Sequence, residues 1–233
     1  MLTEKAAKLA EQEYRKRRPH QGYPWWAQLL LIPLWWCVIF LAGFALWNLP
    51  MRFLNTGAGW AFLGGAAFGV MVFPHLPMRA IYVFGHEMTH WLAAKLTFHE
   101  TGKIHLGMTK GYVEVMGSSG FIALAPYFVP FYFLLSGCLM AFTAQVWRPA
   151  PATFWLGSFG WLGVTYAYHV VLTWIALKNG QKDLEYCGKF LSWCIILAGN
   201  LIFLFLTLLI ASPKPLASLK SIVEAFQVFW NGL

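Results

Sequence analysis

Apolar residues run along this chain in long blocks, not in the short alternations of a water-soluble domain. Six blocks stand out: Trp25–Asn48, Gly57–Phe73, Pro77–Leu96, Phe121–Gln145, Ala152–Leu177 and Phe190–Ala211. A membrane-crossing helix needs about 20 apolar residues to span about 30 Å of hydrocarbon. Gly57–Phe73 is short and Gly-rich, and reads either as a packed span or as a half-length, re-entrant one. Its Gly65-x-x-x-Gly69 would permit close helix contact. Pro77–Leu96 is interrupted by ionisable side chains. The predicted fold is an all-α polytopic membrane protein with about six apolar helical segments.

The remaining segments are polar or amphipathic. Residues 2–14 read as a charged, weakly amphipathic helix. Lys103–Met116 alternates through Ile104, Leu106 and Met108, turns at Thr109-Lys110-Gly111, and resumes with Val113 and Val115. That pattern predicts a small membrane-associated β-hairpin. Beyond Pro215, residues Leu216, Leu219, Ile222, Val223, Phe226 and Trp230 share one helical face, as in an interfacial helix. The organisation is therefore a tail over 1–24, an intramembrane domain over 25–212 and a C-terminal interfacial helix over 213–233.

Composition agrees with the pattern. Residues of the apolar set make up 59% of the 233, and charged residues only 11%, against about 25% in soluble domains. This excludes a disordered chain, a disulfide-stapled secreted module and an ordinary cytosolic domain. Trp25, Trp26, Trp47, Trp147 and Trp155 sit near block ends, as interfacial anchors do. Lys5, Lys8, Arg15, Lys16, Arg17 and Arg18 favour a cytoplasmic N-terminus in a cell (plasma) membrane. The net charge of +8 needs only anionic lipid to explain it, so the lipid bilayer is an expected partner and nucleic acid is not. The cysteines Cys37, Cys138, Cys187 and Cys194 lack metal-site spacing and read as core residues.

The third block carries the chemistry. His86-Glu87-Met88-Thr89-His90 places two imidazoles four apart, on one helical face. Both can reach one ion, and Glu87 can lean toward a metal-activated water as general base, the H-E-x-x-H arrangement of zinc peptidases. Inside an apolar helix such residues are costly and mark function by default. Zinc catalysis needs a third protein ligand. A further histidine of the metzincin kind is absent, since Ala93 and Leu96 stand where its Gly and His would. Asp183, between the last two blocks, is the leading candidate, with Glu114 in the hairpin as the fallback. Asp183 also suits an N-cap of the last helix. His90 lies six residues from Leu96, about 9 Å deep, so a ligating Asp183 requires its loop to dip inward.

The run Phe84-Gly85-His86-Glu87-Met88-Thr89-His90-Trp91-Leu92-Ala93-Ala94, followed by a hairpin, a Pro-containing span and a late Asp, resembles the site-2 protease family of intramembrane zinc metalloproteases, as a compact, divergent member. The resemblance spans roughly residues 78–200. It implies one Zn²⁺ per chain held by His86, His90 and Asp183, Glu87 as general base, and a transmembrane or membrane-tethered protein as substrate. The family's Asp-Gly signature is here Asp183-Leu184, and its Asn-and-Pro substrate motif has only Pro126 and Pro130 as counterparts. Two further roles are expected. Tyr112, Val113 and Val115 would offer a strand edge to an unwound substrate. His169, alone in the fifth block, would either donate to the developing oxyanion or sit as a satisfied core histidine. The alternatives from other classes are a non-catalytic zinc-containing binding protein of the same fold and a di-metal membrane oxidase. Seven scattered histidines are too few for the latter.

Overall fold

The structure is a computed structural model that describes residues 23–48, 57–76, 78–108, 110–117, 119–211 and 215–232. The expected helix over 2–14 and the basic cluster at Lys5–Arg18 lie outside the described residues. Eight helices are described: α1 (Trp25–Asn48), α2 (Gly57–Val72), α3 (Arg79–Leu96), α4 (Gly120–Phe128), α5 (Phe131–Val146), α6 (Ala152–Lys178), α7 (Lys189–Ala211) and α8 (Pro215–Asn231). Between α3 and α4 lies the antiparallel hairpin of β1 (Thr101–Leu106) and β2 (Gly111–Val115). It pairs Ile104 with Val113 and His105 with Tyr112, the alternation expected from the sequence.

Among the described residues, four helices are long and apolar enough to cross a membrane: Trp25–Asn48, Gly57–His75, Ala152–Lys178 and Lys189–Leu209. Gly57–His75 gains its length from a 3₁₀ turn over Phe73–His75 that continues α2. The expected block Phe121–Gln145 is not one straight span. It breaks into α4 and α5, bent by 67°. The cause is Pro130, which has no N–H for the carbonyl four residues back and whose ring crowds that carbonyl. Counting the bent pair as one span gives five, not six. The missing one is α3, whose 18 residues include Arg79, Glu87 and Lys95.

The helices pack in pairs, α2 on α6 and α1 on α7; α4 packs on α7 and α3, α5 on α6, and the hairpin on α3. Glycines set the first pair. A Cβ on Gly163 would stand 2.0 Å from the Phe62 carbonyl oxygen, and one on Gly65 2.0 Å from that of Gly160. Backbone therefore touches backbone, as the Gly65-x-x-x-Gly69 spacing allows. Side chains on the outer faces of these helices stay exposed, Leu30, Leu34, Phe40, Trp60 and Phe68 among them. Such a continuous apolar surface suits lipid rather than water. The tryptophans at the block ends are all exposed.

Two buried clusters fill the interior. One, around Ala94, Ile122, Leu124, Tyr127, Cys187 and Leu191, lies under the chemistry-bearing segments. The other joins Leu46, Phe62, Phe133, Leu162, Leu208 and Ile222. Ile222 ties α8 into this second cluster, and Phe226 and Phe229 stack against Phe44 of α1. The apolar face of α8 is thus divided. Ile222 is buried, while Leu216 and Trp230 remain open.

Candidate metal centre

α3 presents His86 and His90 one turn apart, with ring centroids 4.9 Å from each other. The connection between α6 and α7 brings the third group. Between α6 and α7 a 3₁₀ turn over Lys182–Glu185 carries Asp183. The turn is pulled into the interior by Leu184 and Cys187, both buried, and by a hydrogen bond from Ser192 Oγ to the Leu184 carbonyl, 2.8 Å. This is the inward dip that the depth of His90 required. α7 begins only at Lys189, so Asp183 is too far upstream to cap it.

His86, His90 and Asp183 each offer a ligand atom within 4.8 Å of the others. His90 Nε2 lies 3.9 Å from Asp183 Oδ2. Ligands about 2.0–2.2 Å from a tetrahedral ion stand roughly 3.4 Å apart, so a small contraction would close the site around a cation. Two imidazoles and one carboxylate fit zinc and several other divalent transition metals.

Each of the three groups has a further partner, and that of Asp183 bonds the same oxygen, Oδ2, that faces His90. His90 Nδ1 lies 2.8 Å from the Ile122 carbonyl. A carbonyl only accepts, so Nδ1 carries the hydrogen and Nε2 the lone pair that faces Asp183. Tyr127 donates its hydroxyl to Asp183 Oδ2 at 2.9 Å, and the Tyr82 hydroxyl lies 3.3 Å from His86 Nδ1. Tyr127 is fully buried and its ring packs edge-on to His86. The break after α4 leaves the Tyr127 carbonyl without a helical partner, and Asn200 Nδ2 of α7 donates to it at 2.9 Å. Ile122, Tyr127 and Tyr82 escaped the sequence reading. Tyr82 had a signal, standing one turn before His86. A carbonyl acceptor has none.

Glu87 is buried on the side of α3 that meets the hairpin. A Cβ on Gly111 would stand 2.7 Å from Glu87 Cγ and 2.9 Å from Val83 Cγ1, so β2 opens directly on the glutamate. β2 pairs with β1 on one edge and, among the described residues, with no strand on the other. Val113 is buried, while Tyr112 is exposed and stacks on His105.

Glu114 lies away from the histidine pair. Its carboxylate accepts from the Lys103 amide at 3.0 Å and lies 3.1 Å from His105 Nε2. The Lys103 amide first, and then His105, hold it below the ordinary carboxylate range. Glu114 closes the hairpin, and Asp183, not Glu114, completes the group of three.

His169 of α6 is buried and borders a cavity of about 20 Å³ beside His86 and Tyr82, room for about one water. Its Nε2 has no hydrogen-bond partner among the described residues. Its ring also bonds the Asn200 side chain and the Tyr127 backbone, so it is satisfied on one side, and it stands outside the metal-ligating group.

No family model, no curated protein and no solved structure matches this chain.

Proposed function

We propose that this chain is an intramembrane zinc endopeptidase of the site-2 protease type, an integral protein of the cell membrane with a cytoplasmic N-terminal tail. Its substrates are transmembrane or membrane-tethered proteins. The observation that carries this reading is the convergence of His86, His90 and Asp183 within 4.8 Å, with buried Glu87 between the histidines and against the start of a strand. When bound, Zn²⁺ supplies Lewis acidity, which makes a coordinated water acidic near neutral pH.

His86, His90 and Asp183 hold the ion. Glu87 accepts a proton from the attacking water and passes one to the leaving amine. The free edge of β2, at Tyr112, Val113 and Val115, pairs with the unwound substrate backbone and lays its scissile bond beside Glu87.

The test uses the full chain reconstituted in bilayers with single-span reporter proteins. Glu87→Gln keeps one zinc per chain and loses cleavage. Full turnover by Glu87→Gln would remove the general-base role. Stoichiometric zinc in the native chain with no reporter cleaved would favour a non-catalytic zinc-binding protein.

A further inference from the structure

We propose that Tyr127 is a positioning residue for the metal, orienting the Asp183 carboxylate toward the histidine pair, and that Tyr82 orients His86 more weakly. The inference rests on the zinc reading above and deepens it.

The geometry is specific to the ligands. Tyr127 bonds a carboxylate, through Oδ2 of Asp183 at 2.9 Å. Its ring is sealed in the interior, so any effect on chemistry passes through the groups it touches, Asp183 by its hydroxyl and His86 by its ring. The oxygen that the phenol engages, Oδ2, is the one 3.9 Å from His90 Nε2, so the hydroxyl fixes the orientation of the carboxylate that would hold the ion with the two imidazoles. Tyr127 is itself held from two sides. The bend after α4 fixes its backbone, and Asn200 of α7 bonds its carbonyl. The phenol therefore links α4, α7 and the 3₁₀ turn at the ion.

Tyr82 acts on protonation. For His86 to ligate through Nε2, Nδ1 must carry the hydrogen and the Tyr82 oxygen must accept it. At 3.3 Å this bond is long, so its effect is the smaller. His90 meets the same need through the Ile122 carbonyl, which can only accept. Each ligand thus has its own orienting partner, as metal-binding histidines and carboxylates generally do.

The test measures zinc affinity of the purified full chain by competition with a chromophoric chelator, and the visible spectrum after replacing zinc with Co²⁺. Partners of this kind typically contribute about 10- to 100-fold in metal affinity. Tyr127→Phe is expected to fall in that range and to alter the Co²⁺ bands, because the carboxylate is no longer held in one orientation. Tyr82→Phe is expected to lose less. Tyr168→Phe removes a buried hydroxyl that has no hydrogen-bond partner among the described residues, and is expected to keep native affinity and spectrum. Native zinc affinity and an unchanged Co²⁺ spectrum in Tyr127→Phe would overturn the proposal alone. An equal loss in Tyr168→Phe would make the effect one of packing and overturn it too. A native chain that binds neither metal would overturn the zinc reading beneath it.

Discussion

Gly111→Ala tests whether the strand bears on the proposed general base. The added methyl would sit 2.7 Å from Glu87 Cγ, 2.9 Å from Val83 Cγ1 and 3.0 Å from the His105 carbonyl oxygen. None of these is the free end of a flexible side chain. Val83 and Glu87 are buried on α3, and His105 belongs to the paired strand. Either β2 lifts from α3 or Glu87 turns out of place. Overpacking of this size costs about 1–3 kcal/mol. At about 1.4 kcal/mol per tenfold in rate, the expected fall in turnover is about five- to 150-fold if the whole cost appears as misplacement of Glu87. The proposed metal ligands His86, His90 and Asp183 are not among the atoms struck, so metal content is expected to remain at one per chain. The assay is reporter cleavage in bilayers at matched folded protein, with zinc measured on the same sample. Native turnover by Gly111→Ala would refute the apposition of β2 and Glu87, and loss of zinc would show that the hairpin supports the ligands instead.

Further outcomes separate the ligand assignment and the helix packing. Asp183→Ala is expected to lose zinc on dialysis while Glu114→Ala retains it, measured by elemental analysis; the reverse result would return Glu114 to the site. Gly163→Ala drives a methyl to 2.0 Å from the Phe62 carbonyl oxygen, whereas one on Gly64 meets nothing within 4 Å. The first is expected to cost at least about 1–3 kcal/mol and the second to gain about 0.5–1 kcal/mol from helix propensity. Thermal unfolding of the two variants in detergent compares them, and equal melting temperatures would contradict the close α2–α6 contact.

Much of the architecture was legible from local signals. Apolar blocks without charge became helices because a backbone in lipid must satisfy its own hydrogen bonds. The alternation around Ile104 and Val113 became a hairpin. The break at Pro130 was written in the sequence but hidden by the apolar run on either side, which is long enough for one span. α3 resembled a span, yet the Arg79, Glu87 and Lys95 that lower its apolar character include the group that marks it as functional.

The site divides in the same way. Helical periodicity alone puts His86 and His90 on one face with Glu87 beside them, because residues four apart are neighbours wherever the helix lies. Asp183 was reachable only by elimination. Its place beside the imidazoles depends on Leu184 and Cys187 being drawn into the core, a packing event with no local pattern. Tyr127, the Ile122 carbonyl and the contact of Gly111 with Glu87 come from chain segments brought together by the bend after α4 and the docking of the hairpin. The sequence by itself determined the helices and the histidine pair, since both follow from short-range geometry. Tertiary structure decided the third ligand and its supports, since long-range contacts are set by how side chains fill a shared interior.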